Sequence, residues 1–260
     1  MPSAANLPSS VLVEVVADSV ATAMAAERAG AGRIELCCAV GEGGLTPSLG
    51  TLAEVLHAVH VPVFAMLRPR RGDFLFDDGE FRAMRRDLDL LLQHGARGIV
   101  TGALQRDGSV DRDRTRELVR SAGRVPVTFH RAFDLVPDAD AALETLVELG
   151  VARVLTSGQA PTAKRGVARI ASLVARARSR IHVMAGAGVR AHNAAAIVRA
   201  TRVAELHLSA SRYEPSAMQW PDLGVAMGTQ PVLPENVVRA VDEDEVAGVL
   251  RAALEATRGS

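Results

Sequence analysis

The stretch Pro126-Val127-Thr128-Phe129-His130-Arg131-Ala132-Phe133-Asp134 begins like a strand. A proline that can open one is followed by β-branched and aromatic residues. It ends with an imidazole, a guanidinium and a carboxylate, His130, Arg131 and Asp134, just where the apolar pattern stops. An imidazole titrates near neutrality and can move protons. A guanidinium can hold a carboxylate or a phosphate, bidentately if geometry permits. Taken alone, the stretch reads equally as an Arg–Asp loop pair beside a satisfied histidine. Other strands that end in the same way tip the balance toward an active site.

Strand side chains alternate with period two. Applied to each strand, this gives one apolar face and one face that collects Glu14, Glu35, Cys37, Arg68, Thr128, His130, Glu205, His207 and Ser209. Charges do not sit inside a barrel without partners or solvent. Their convergence predicts a polar pocket at the carboxyl ends of the strands. Glu14, Glu35, Arg68 and His130 are the catalytic candidates: His130 as acid or base, Glu14 or Glu35 orienting it or sharing the proton, Arg68 holding an anion. Thr128, Arg131, His207 and Ser209 are ligand-binding candidates. Glu205 starts its strand, which assigns it a structural place at the opposite end. His182 reads as a core histidine beside Met184. Ser157-Gly158 and Gly186-Ala187-Gly188 follow two late strands. Backbone N–H groups of Ser157, Gly158, Gly186 and Gly188 are candidates for binding an anion, against plain turn chemistry.

The elements that must position these residues repeat along the chain. Strands are expected at 11–16, 33–37, 62–68, 98–102, 126–130, 153–157, 181–185 and 205–209, each followed by a helical pattern. In the segment 78–94, Phe81, Met84, Leu88, Leu91 and Leu92 recur at helical spacing. Eight βα units over 260 residues predict an α/β fold, a single (β/α)8 TIM barrel with a short C-terminal extension. A doubly wound open sheet gives the same string of elements and stays open as the rival. Residues 1–10 are expected to be a loose arm and 11–260 the barrel domain. Residues 212–236 read as a long loop. Asp242 and Glu245 read as a capping box before a helix at 246–256.

Composition limits the partners. Lys+Arg and Asp+Glu are both 30, so no basic footprint for nucleic acid is expected. No apolar run spans a bilayer. The two cysteines, Cys37 and Cys38, are adjacent, which excludes a disulfide framework and fits a reducing, cytoplasmic setting. A small-molecule or anionic ligand, no membrane, no organic cofactor and a homo-oligomer are the expectations.

Seven segments together resemble the CutC family: Val13-Glu14-Val15-Val16-Ala17-Asp18-Ser19, Arg33-Ile34-Glu35-Leu36-Cys37, Glu42-Gly43-Gly44-Leu45-Thr46-Pro47-Ser48, Arg68-Pro69-Arg70, Gly72-Asp73-Phe74, Thr128 to Asp134, and Leu155-Thr156-Ser157-Gly158. The resemblance covers roughly residues 11 to 230. It implies a TIM barrel, a cytosolic protein and a link to copper homeostasis. The copper proposal for the family rests on two cysteines ending the first two strands. Cys37 matches the second, and Val16 stands at the first. The resemblance therefore implies weak copper(I) binding through Cys37. The alternative is an enzyme (a lyase, isomerase or hydrolase using His130 and a carboxylate) acting on a small sugar-like or phosphorylated substrate.

Overall fold

A computed structural model describes residues 8, 10–219 and 234–258 of the chain. The expected N-terminal arm and the middle of the expected 212–236 loop lie outside the described residues. The elements in order are β1 (Leu12–Ala17), α1 (Val20–Arg28), β2 (Arg33–Leu36), α2 (Leu49–Ala58), β3 (Val63–Met66), α3 (Asp78–Gln93), β4 (Gly98–Thr101) and α4 (Arg112–Ala122). They continue with β5 (Val127–Phe129), α5 (Ala139–Glu148), β6 (Arg153–Thr156), α6 (Val167–Ala177), β7 (His182–Ala185), α7 (Ala191–Thr201) and β8 (Glu205–Leu208). After the barrel come β9 (Ser211–Pro215), β10 (Val237–Val241) and α8 (Glu243–Arg258).

Strands β1 to β8 are parallel and close into a barrel. Closure comes from β1 pairing with β8, which decides against the open sheet. The cause is in the alternation. Ile34, Leu36, Val63, Ala65, Ile99, Phe129, Val154, Ala185 and Leu206 leave the outer face of the sheet and are buried in one apolar cluster with the helices. On α3, Phe81, Met84, Leu88 and Leu91 form the buried stripe. Its start is a reciprocal cap: Asp77 accepts from the Glu80 N–H at 2.8 Å, and Glu80 accepts from the Asp77 N–H at 2.8 Å.

The inner face is filled in layers. Phe64 occupies the barrel axis because Gly98 faces it. A Cβ at Gly98 would lie 2.4 Å from the Phe64 ring. Below that ring, at the amino ends of the strands, Arg33, Arg153 and Glu205 form a buried ionic floor. Arg153 donates to Glu205 through Nε at 2.9 Å and Nη2 at 3.2 Å, and Arg33 bonds both Glu205 and Glu14. Both guanidiniums lie over Phe64, at 4.8 and 5.1 Å from its centroid.

Three expectations need correction. The 212–236 segment is not simply loop: β9 pairs antiparallel with β10. Its period was hidden because most of both strands' residues stay at least partly exposed. Glu245 does not close a reciprocal cap on α8. Asp242 accepts from the Glu245 N–H at 3.0 Å, but the Glu245 carboxylate accepts the Ala191 N–H at 2.8 Å and so caps the start of α7. His182 is not a core residue. It begins β7 and is largely exposed, with Nδ1 3.7 Å from Glu205.

Arg239 on β10 fastens the hairpin to the barrel mouth. Its guanidinium donates to the Val16 and Ser209 carbonyls at 2.9 Å and to Asp18 at 2.8 Å. Among the described residues, no helix is long and apolar enough to cross a membrane.

Candidate active site

Arg68 leaves the end of β3 and organises two loops. Its Nη1 donates to the Glu42 and Gly44 carbonyls at 3.0 and 3.2 Å, and its Nη2 to the Gly72 carbonyl at 3.0 Å. Gly43 and Gly44, both at φ +85°, allow the loop to wrap this guanidinium. A Cβ on Gly43 would sit 3.1 Å from Nη1. Three of the five guanidinium N–H groups are thus used on the loops, which leaves Nε–H and the second Nη2–H. Nε has no partner among the described residues. The guanidinium lies 4.9 Å over the Phe74 ring, and Phe74 lies 4.8 Å from His130.

His130 sits just past β5, buried, with its own N–H bonded to the Thr101 carbonyl at 2.8 Å. Its Nδ1 accepts the Ala132 N–H at 3.2 Å. Burial, helped by the Arg68 charge, pushes its pKa down to about 3. A neutral ring whose Nδ1 accepts carries its proton on Nε2, which has no protein partner among the described residues. In that form His130 presents a hydrogen-bond donor.

Glu35, on β2, points inward and is buried. Burial first, and the Glu14 charge second, push its carboxyl up to about 7 against the pull of His207 and Arg33. Its Oε2 has no partner among the described residues. Glu14, fully buried on β1, behaves oppositely. Burial alone would raise it, but the His207 hydrogen bond and the Arg33 guanidinium take it down to about 2. His207 Nδ1 lies 2.7 Å from Glu14, and its Nε2 lies 4.0 Å from Glu35. Burial would lower the His207 pKa, but Glu35 and Glu14 outweigh it and raise it.

These groups open into one cleft of about 330 Å³. Glu35, Arg68, His130, Arg131, Asp134 and His207 give it polar walls; Met66, Phe74, Leu135 and Leu155 give it apolar ones. Three of the four catalytic candidates line it. Glu14 stands behind His207. Arg131 sits at the rim, bonded to Asp134 at 2.8 Å and to Ser157 Oγ at 3.1 Å.

The remaining candidates lie elsewhere. Thr128 faces the ionic floor, where Arg153 reaches its hydroxyl at 3.4 Å. Ser157, Gly158, Gly186, Gly188 and Ser209 do not line the cleft. The Ser157 N–H goes to Asp134 at 3.0 Å, that of Gly158 to Thr156 Oγ1 at 2.9 Å and that of Gly186 to the Thr156 carbonyl at 3.0 Å. These amides serve turns and the sheet. The Gly188 carbonyl accepts from Asn193 at 2.9 Å, and that of Ser209 serves Arg239.

Cys37 points inward and is buried with Val16, Phe64, Met66 and Val100. Burial, foremost, raises its thiol far above the ordinary range. Cys38 is exposed, on the other side of the chain. Glu14, Glu35 and His207 bring donor atoms within 4.8 Å of one another. Each Glu14 oxygen already takes one hydrogen bond, from Arg33 or His207, whereas His207 Nε2 and Glu35 face the cleft.

Sequence reasoning missed Arg33, Arg153, Phe74 and Glu42. Arg33 was within reach: it lies two residues before Glu35 and so shares its inward face.

Comparison with known proteins fits this geometry. The CutC family model matches residues 11–212. The mouse copper homeostasis protein cutC homolog is 46% identical over 235 residues, 90% of this chain and 86% of its own length. The family protein CutC of Klebsiella pneumoniae strain 342 is 46% identical over 236 residues, 91% and 95% of the two chains. The crystal structure of CutC from Streptococcus agalactiae superposes with a TM-score of 0.73 at 32% identity, covering 76% of this chain and 97% of that one. With the inward Glu14, Glu35, Arg68 and His130 of its motifs gathered around one barrel mouth, the chain belongs to the CutC family.

Proposed function

We propose that the cleft is the active site of an enzyme that removes a proton next to a carbonyl in a small oxygenated substrate. One observation carries this reading. Glu35 Oε2, Arg68 Nε and His130 Nε2 are buried without protein partners among the described residues, and all three residues line the same cleft. Buried polar groups are almost always paired, so three orphans around one cavity call for ligand atoms. They are one acceptor and two donors. The donors, His130 Nε2–H and Arg68 Nε–H, suit an oxygen on which negative charge develops. Glu35, with a pKa of about 7, suits a base working near neutral pH. A carboxylate base facing a neutral imidazole donor recurs where an enolate must be stabilised.

Copper, which the relatives' names carry, finds a poor ligand set. Copper(I) prefers thiolate or thioether sulfur. The layer around Cys37 holds one thiol, which burial keeps protonated, and the thioether of Met66. Val16 stands where a second thiol is needed. No step runs through copper.

The test is exchange in heavy water. Wild type and Glu35→Gln are incubated in D2O with a panel of small carbonyl compounds and their phosphates, and carbon-bound deuterium is read by NMR. Wild-type exchange that Glu35→Gln loses supports the reading. A wild type that exchanges no member of the panel, or a Glu35→Gln that exchanges equally, overturns it.

A further inference from the structure

His207 stands between two carboxylates with different tasks. Glu14 holds its Nδ1 at 2.7 Å, while its Nε2 faces Glu35 at 4.0 Å, too far for a direct hydrogen bond. Glu14 is wholly enclosed, whereas His207 and Glu35 both line the cleft. The gap between Nε2 and Glu35 therefore opens to the substrate side. A buried carboxylate that fixes one ring nitrogen and aims the other is the arrangement of an oriented proton-transfer group.

We propose that His207 is a second proton-transfer group of the cleft, oriented by Glu14, and that Glu35 and His207 together serve adjacent atoms of a 2-hydroxy carbonyl compound such as an aldose or ketose. The inference rests on the enolising reading above and names its substrate class. In the forward step the Glu35 carboxylate takes the proton from the carbon that bears the hydroxyl. The C–H electron pair becomes the new C=C bond. The carbonyl π pair moves onto its oxygen, which takes the Nε2 proton of His207. An enediol results. Neutral His207 then takes the proton of the neighbouring hydroxyl, and Glu35 returns its proton to the former carbonyl carbon. Atoms and electrons balance as an isomerisation, with no oxidant or reductant. His130 and Arg68 donate hydrogen bonds to the oxygens throughout and transfer nothing.

The surroundings of His207 suit this work. From β1 it meets Glu14, and from β2 Glu35 and Arg33. Just past β7 it meets Gly186, where an added Cβ would lie 3.3 Å from the His207 Cβ. Two carboxylates against one guanidinium favour the imidazolium that the forward step consumes.

Two measurements test the proposal. In the first, the full chain with 15N-labelled histidine is titrated by NMR. The His207 ring is expected to be doubly protonated at neutral pH in wild type and to titrate at least about one unit lower in Glu14→Gln. A neutral wild-type ring, or one indifferent to Glu14→Gln, overturns the role. In the second, aldoses, ketoses and their phosphates are followed in D2O for both deuterium uptake and isomer formation. His207→Gln is expected to slow isomerisation at least about tenfold more than exchange, while Glu35→Gln loses both. Equal losses in His207→Gln, or unchanged isomerisation, overturn the role of His207. No exchange of aldoses, ketoses or their phosphates by wild type overturns the substrate class, and the enolising reading falls with it only if the wider carbonyl panel also shows none.

Discussion

Arg153 reaches across the lower barrel to Glu205, with Nε 2.9 Å from Oε2, and Arg33 meets the same carboxylate from the other side. One buried acid thus bridges two buried guanidiniums, and Glu14 supplies the second negative charge through Arg33. Removing it leaves both without a shared partner in a desolvated layer. Glu205→Ala is expected to destabilise the fold by roughly 3–5 kcal/mol, and Glu205→Gln by less. Urea unfolding measures this. A loss below about 1 kcal/mol in Glu205→Ala would show that the floor is not what holds the strand starts together.

The raised carboxyl of Glu35 predicts a pH dependence of stability. In the unfolded chain it titrates near 4.5, in the fold near 7. Between these values the folded state holds a proton that the unfolded state has lost. The Glu35 contribution is therefore full below about 4.5 and fades as pH rises through about 7. Glu35→Gln lacks this decline, so its melting temperature relative to wild type should climb across that window. A flat difference between the two melting curves would place Glu35 in solvent.

The two adjacent thiols should differ sharply. Cys38 is exposed and Cys37 is enclosed in an apolar layer. A thiol reagent is expected to modify one cysteine quickly in the native protein and the second only on unfolding. Copper(I) titration against a strong competitor should give the same affinity for wild type and Cys37→Ser. Loss of binding in the variant would restore the copper reading.

Arg68→Lys keeps the charge but replaces a planar fork with a point charge. The three carbonyls of Glu42, Gly44 and Gly72 lose their shared donor. Amide hydrogen exchange should accelerate in the segments around 42–44 and 70–74, while the helices stay protected. Uniform acceleration instead would mark global destabilisation.

Much of this was legible in the chain. The period-two alternation of Glu14, Glu35, Arg68 and His207 set their inward direction, because the opposite face had to meet helices. What alternation cannot give is register. Glu14 and His207 lie 193 residues apart and become Cα neighbours only through the pairing of β1 with β8. The protonation of His130 was equally hidden, since it follows from the Ala132 N–H. Of the ionic floor only Glu205 was legible: Arg33 and Arg153 open their expected strands, and their meeting with Glu205 depends on side-chain reach across the closed barrel. The β9–β10 pairing escaped because it buries too little to impose an apolar pattern.

Phe64 and Gly98 divide one space between them. The ring fills the axis only because its neighbour across the sheet has no side chain. The two positions are therefore size-complementary, and a sequence that enlarges one must shrink the other. Replacing Gly98 with alanine while keeping the phenylalanine would push the ring from its seat against the Arg33 and Arg153 guanidiniums.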